Sequence, residues 1–259
     1  MNQKNILPAN WPAPKNIHAF TTLRNGMGVS RPPFDQFNLG NRNRNSEQGD
    51  DPIAVEKNRE LLVQAFSLPD RPHWLRQVHG VDVLRFDGSP KPSGNYQQDE
   101  PVADASVTSK KNIILSILTA DCLPVLFCNT DGGEVAAAHA GWRGLANGML
   151  QNTVRAMNSE PENIMAWLGP AAGPAAYEIG AEVRDAFVHY DKNAEVAFVP
   201  SRENHWKVDL YQLARMRLQS MGISKVYGGD HCSISEPDSF FSHRRDQQTG
   251  RMASLIWIS

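Results

Sequence analysis

Apolar runs of strand length alternate along this chain with segments whose apolar residues recur every three or four positions. Residues 112–118 and 124–128 read as strands on either side of the turn Thr-Ala-Asp-Cys-Leu-Pro, and 134–139 reads as a third buried strand. Helical spacing follows over 144–157, then a strand over 163–168 and helices over 182–190 and 209–221. Residues 226–229 and 253–258 close the chain as strands. Upstream, 52–66 has helical periodicity behind Asp50 and Asp51, with Pro52 suited to a first turn.

Helices and strands mix without strict βαβ alternation, which predicts an α+β fold with helices packed outside sheets. Two stretches resist assignment to regular elements. Residues 24–51 are rich in Gly, Asn, Arg and Pro and read as a long loop system, and long ordered loops are often functional. Residues 88–101 are the most linker-like, but strand-like patterns on both sides make them a surface loop within one domain. No repeat is visible at periods of about 20–50 residues.

Composition narrows the function classes. The 259 residues are 41% hydrophobic and 21% charged, ordinary globular usage. Lys plus Arg is 26 against 28 for Asp plus Glu, a net charge of −2, and no basic run forms a phosphate-backbone footprint, so nucleic acid is not an expected partner. No apolar run reaches the roughly 18 residues of a membrane span. The three cysteines, Cys122, Cys128 and Cys232, show no short paired spacing, so neither a disulfide framework nor a structural zinc clip is indicated. The expectation is a cytoplasmic protein, and the lack of a long apolar surface stripe suggests a monomer.

The candidate chemistry sits where strands end. His79 closes Arg-Gln-Val-His-Gly, His139 opens His-Ala-Gly-Trp-Arg-Gly, and Cys122 lies in Ala-Asp-Cys-Leu-Pro. One thiolate and two imidazoles suit zinc and leave a fourth position for water, an open catalytic site. Two other readings use the same residues: Cys122 as a nucleophile activated by a neighbouring His, or packed structural side chains. Long separations in sequence leave these open. A zinc-stabilised binding module would need a fourth protein ligand such as Cys128 or His231. Arg143, in a Gly-flanked turn at a predicted helix start, is the first candidate for gripping phosphate or carboxylate and Arg24 the second, with Arg244 a further one. Asp121 is a candidate general base or support for Cys122. Gly169-Pro170-Ala171-Ala172-Gly173 follows a strand and is suited to a pocket wall.

Five segments in order, RQVHG, TADCLPVLFCN, EVAAAHAGWRG, AWLGPAAG and FFSHRRDQQTGRMASLIW, resemble the laccase-domain (YfiH-type) family, whose members were once called polyphenol oxidases. TTLRNGMGVS, FNLGNR and GGDHCS extend the resemblance from about residue 20 to the C-terminus. It implies a single-domain α/β/β/α sandwich over residues 1–259, with 1–19 as a lead-in. It also implies a catalytic zinc held by His79, Cys122 and His139. His243 stands where relatives often have Tyr.

The implied activity is zinc-dependent purine nucleoside phosphorolysis, acting on adenosine, inosine or methylthioadenosine, with adenosine deamination at the same centre. Small-molecule partners, a nucleoside and phosphate, follow. Bound water on such a zinc would be acidified towards a pKa of about 7. Two alternatives accompany the family. One is peptidoglycan editing, hydrolysis of a wrong amino acid from a UDP-muramyl-peptide precursor, which needs a longer groove that residues 24–51 and 88–101 would form. The other is copper-dependent polyphenol oxidation. None of the eight histidines forms the His-x-His pair expected of a trinuclear copper cluster, although copper would compete for a His/Cys site.

Overall fold

The computed structural model describes residues 5–40, 49–88 and 100–259. Among them the strands are β1 (Ile6–Pro8), β2 (Ile17–Thr22), β3 (Val83–Arg85), β4 (Ala105–Thr108), β5 (Leu115–Thr119), β6 (Leu123–Asn129), β7 (Val135–Ala140), β8 (Ile164–Leu168), β9 (Glu178–Gly180), β10 (Phe198–Arg202), β11 (His205–Val208), β12 (Lys225–Gly228) and β13 (Met252–Ile258). The helices are α1 (Pro52–Ala65), α2 (Trp142–Ala146), α3 (Met149–Ala156), α4 (Ala181–Val188), α5 (Leu210–Gln219) and α6 (His243–Asp246).

Strand alternation decides the layers. In β6, Val125 and Phe127 point to one side with Ala136 and Ala138 of β7, where they pack with α3 and α5. Leu126 and Cys128 point the other way and meet Ile117 of β5 and Ile256 of β13. On the far side of that second sheet, Phe20, Leu255 and Trp257 pack against Leu62 of α1. Two sheets thus stack face to face with helices outside each, the α/β/β/α sandwich. One sheet runs β1-β2-β13-β5, antiparallel throughout, and the other β12-β8-β6-β7-β4-β3. A small antiparallel sheet, β10-β11-β9, completes the strands among the described residues. None of the described helices is long and apolar enough to cross a membrane.

The 24–51 segment contains no helix or strand among its described residues, in line with its composition. It is sewn to α1 by polar side chains. Asn58, fully buried, accepts from Val29 N at 2.8 Å and donates to Ser30 Oγ and Asn38 O, both at 2.8 Å, while Arg59 Nε donates to Leu39 O at 3.0 Å. Residues 41–48 of this segment, and 89–99 of the segment expected as a surface loop, lie outside the described residues. Within the expected lead-in, Ile6–Pro8 and the start of Ile17–Thr22 are strands, and β2 pairs with β13 from Ile17↔Ile258 to Thr21↔Ser254.

One sequence expectation needs correction, and one sheet is new. The helix expected over 144–157 is two helices, α2 and α3, because Gly148 at φ +97° takes a left-handed conformation that breaks the run after Asn147. The small β9–β11 sheet was not anticipated; its strands are three to five residues long, too short to carry a period.

The break gives a discriminating stability test. Gly148→Ala destabilises by about 1–2 kcal/mol because an L residue is forced into the left-handed region. A continuous helix would instead gain up to about 1 kcal/mol from the same change, and urea denaturation reads the sign.

Candidate metal centre

Sheet register brings three distant motifs to one end of the six-stranded sheet. β6 and β7 are antiparallel with Leu123 opposite Ala140, so Cys122, just before β6, lies beside the end of β7 where His139 sits. β4 runs antiparallel on the other side of β7 with Ala105 opposite Ala138, which sets Asp104 beside His139. β3 runs parallel to β4, with Val83 opposite Ala105, so the turn carrying His79 arrives at the same end.

There the ligand atoms of His79, Cys122 and His139 lie within 4.8 Å of one another, and among the described residues these three form the one such cluster of His, Cys, Asp or Glu. Cys122 Sγ is 3.7 Å from His79 Nε2. Zinc–sulfur and zinc–nitrogen bonds of ordinary length in a tetrahedron separate S and N by about 3.6 Å, so the pair is spaced as ligands of one ion. The two imidazole rings meet edge to face at 4.8 Å and 69°. His139 is 3% exposed, whereas Cys122 is half-buried and His79 exposed, which leaves the cluster open on one side.

Charge favours the ligand form of the thiol. Burial would raise the Cys122 thiol, but the His139 and His79 imidazoles overcome it and bring it down to about 6. Burial likewise opposes charge on His139, yet the Cys122 thiolate and Asp104 carboxylate push it up to about 9. Cys128 is the contrast: buried in β6 without such partners, its thiol rises to about 12.

Glycine makes room for the cluster. A Cβ on Gly141 would lie 2.9 Å from Cys122 Sγ and 3.1 Å from His79 Cδ2. A Cβ on Gly144 would meet Gly80 O at 3.0 Å, so this glycine lets α2 approach the His79 turn. His79 itself is left-handed at φ +60° and Asp121 at φ +85°, conformations that non-glycine residues adopt only when held.

Asp121 is held on the side away from the imidazoles. Its carboxylate accepts from Ser233 Oγ at 2.6 Å and from the Arg244 backbone N–H at 2.6 Å, and its carbonyl accepts from Ala172 N at 2.9 Å. These bonds fix the turn that presents Cys122. The carboxylate that meets a histidine of the cluster is that of Asp104, whose Oδ1 lies 2.8 Å from His139 Nδ1. Asp104 escaped the sequence reading, although it is the one charged residue in the apolar stretch Val102-Ala103-Asp104-Ala105-Ser106-Val107.

The three candidate arginines separate. Arg24 is occupied: Nε donates to Asp35 O at 2.9 Å, and its other nitrogens approach Asp35 and Asp246 carboxylates at 3.5 and 3.4 Å. Arg143 is exposed, with its guanidinium 4.4 Å over the Trp142 ring. Arg244, also exposed, is tied through its backbone to Asp121 and stacks 4.9 Å over Tyr177. Burial, reinforced by the charge of Cys122, pushes the Tyr177 phenol up to about 12 and keeps it protonated. Tyr177 was also missed, since a lone aromatic after a Gly/Pro turn carries no signal of its own. The expected wall segment holds to its neighbours: Gly173 N donates to Cys232 Sγ at 3.3 Å, and Tyr211 Oη accepts from Ala171 N at 2.8 Å and donates to His231 O. His231 Nδ1 is engaged by Glu236 at 3.0 Å, and neither it nor Cys128 joins the cluster. His243 is exposed, with Nδ1 against Gln247 O.

The crowding at Gly141 yields a test. Its φ of −58° accepts any L residue, so Gly141→Ala folds normally but intrudes on Cys122 and His79. Zinc affinity measured by chelator competition falls by about tenfold or more, with little change in thermal stability.

Comparison with known proteins shows the family. A family model described as multi-copper polyphenol oxidoreductase laccase matches residues 18–259. The chain is 54% identical over 255 residues to a purine nucleoside phosphorylase of Xylella fastidiosa (strain Temecula1), covering 98% of this chain and 96% of that protein. It is 50% identical over 255 residues to the purine nucleoside phosphorylase YfiH of Escherichia coli (strain K12), covering 98% and 99%. Among solved structures, Neisseria meningitidis protein NMB0706 superposes with a TM-score of 0.88 at 46% identity, covering 99% of this chain and all of that one at 100%. YlmD of Geobacillus stearothermophilus gives 0.85 at 28%, covering 100% and 97%. With the family model spanning nearly the whole chain and full-length relatives at half identity, the chain belongs to the laccase-domain (YfiH-type) family.

Proposed function

We propose that this protein is a zinc-dependent purine nucleoside phosphorylase whose centre is His79, Cys122 and His139. The observation that carries the reading is the convergence of one thiol and two imidazoles in an open cluster, in a chain about half identical to relatives named for that activity. A thiolate with two imidazoles is a borderline-soft donor set that suits zinc, and three protein donors leave a position for a small ligand. A bound zinc supplies Lewis-acid polarisation.

In phosphorolysis a phosphate oxygen forms a bond to ribose C1′ while the bond from C1′ to purine N9 breaks, and the departing base takes up a proton. Arg244 is the arginine this reading assigns to phosphate. Its guanidinium is exposed, bonds to the Glu178 carbonyl at 2.7 Å rather than to a carboxylate, and is tethered one residue from Cys122 by way of Asp121. Arg24 is paired with two acidic residues and serves the 24–51 segment. Tyr177, protonated beneath Arg244, is the neutral donor of the pocket. Adenosine deamination belongs to the same proposal, with water in place of phosphate and purine C6 in place of C1′.

Product analysis tests the reading. Zinc-loaded protein given adenosine and phosphate yields adenine and ribose 1-phosphate, and given adenosine alone yields inosine and ammonia; Cys122→Ala yields neither pair. Absence of both from the wild type overturns the assignment. Arg244→Ala raises the KM for phosphate by about 10- to 100-fold, the worth of one or two charge-assisted hydrogen bonds, with a much smaller change in KM for the nucleoside. A larger phosphate effect from Arg143→Ala would move the anion position to α2.

A further inference from the structure

We propose that Asp104 is the positioning residue of this centre, a single buried carboxylate that aims both histidine ligands and reserves Nε2 of His139 for the ion. The proposal rests on the metal-centre reading above and concerns how the chain builds the site. Asp104 is 0% exposed. Its Oδ1 accepts from His79 N at 2.9 Å and meets His139 Nδ1 at 2.8 Å. Its Oδ2 accepts from Val78 N at 3.1 Å and Gly80 N at 2.8 Å. Three consecutive backbone N–H groups of the His79 turn therefore gather on one carboxylate, the concave donor arrangement that binds anions. That arrangement holds His79 in the left-handed conformation it occupies at φ +60°.

The fourth bond does different work. Because Asp104 takes Nδ1–H of His139, Nε2 is the ring nitrogen left to face Cys122 and His79. The main chain repeats the link, with His139 N donating to Asp104 O at 2.7 Å, so residue 104 grips residue 139 at two points. Cys122 is presented separately, by the Asp121 bonds to Ser233 and Arg244. Asp104 thus serves the imidazole side of the cluster and Asp121 the thiol side.

An amide cannot replace this carboxylate. The oxygen of Asn at 104 satisfies at most two of the four donors, and its NH2 faces the remaining N–H groups. In Asp104→Asn the zinc dissociation constant of the folded protein, read by chelator competition, rises by about 10- to 100-fold. Cobalt substituted for zinc keeps its thiolate-to-metal charge-transfer absorption, since Cys122 is untouched, while its visible ligand-field bands weaken. A purely structural role would lower the melting temperature and leave zinc affinity of the folded protein at the wild-type value, and that result overturns the proposal.

A measurement on the wild type does not depend on how the variant folds. In zinc-loaded protein with 15N-labelled histidine, the His139 ring shows a slowly exchanging proton on Nδ1 and none on Nε2. The opposite pattern, Nε2 protonated and Nδ1 on the metal, overturns the proposal. Wild-type protein that binds no zinc overturns the metal-centre reading itself, an outcome distinct from equal zinc binding by wild type and Asp104→Asn.

Discussion

The antiparallel pairing of β7 with both β4 and β6 is the constraint on which the centre depends. It sets Asp104 against His139 on one flank and Cys122 beside it on the other, and the parallel partner β3 brings the His79 turn to the same edge. A slip of one residue between β7 and either neighbour would turn its side chains to the opposite face. His139 would then face the helix layer in the place of Ala138 and Ala140. The buried alternation of these strands between two cores therefore fixes the geometry of the candidate ligands as well as the fold.

Close approach at the strand ends has a conformational cost, borne by identifiable residues. His79 and Asp121 both sit in left-handed backbone that a side chain disfavours. Each is over-determined by hydrogen bonds to a carboxylate: that of Asp104 for His79, and its own, bonded to Ser233 and Arg244, for Asp121. Gly141 leaves the space that the ligand atoms occupy. Two left-handed side-chain-bearing residues and one space-making glycine thus lie where chemistry is proposed, and the sandwich cores behind them supply ordinary close packing.

Much of this was legible in sequence. Apolar periodicity located α1, α5 and the β5–β8 strands because each is long enough to show a period, and the resemblance supplied the sandwich and the three residues that cluster, His79, Cys122 and His139. Gly148 was invisible to periodicity because one left-handed residue interrupts a helix without altering its apolar spacing. Asp104 was legible in principle, as a charge inside an apolar run, but only register reveals that its partners are His139 and the His79 turn. Sequence put Arg143 first and Arg24 second for the anion, on their Gly-containing turns, because the partners of each side chain are not visible along the chain. Arg24 differs from Arg244 by carboxylates that lie 11 and 222 residues away along the chain.

Zinc K-edge X-ray absorption of the purified, zinc-loaded protein tests the convergence of the three motifs most directly. The structure predicts one sulfur at about 2.3 Å, two imidazole nitrogens at about 2.0–2.1 Å and one further light atom. A shell without sulfur, or one with a third imidazole and no exchangeable ligand, would contradict it.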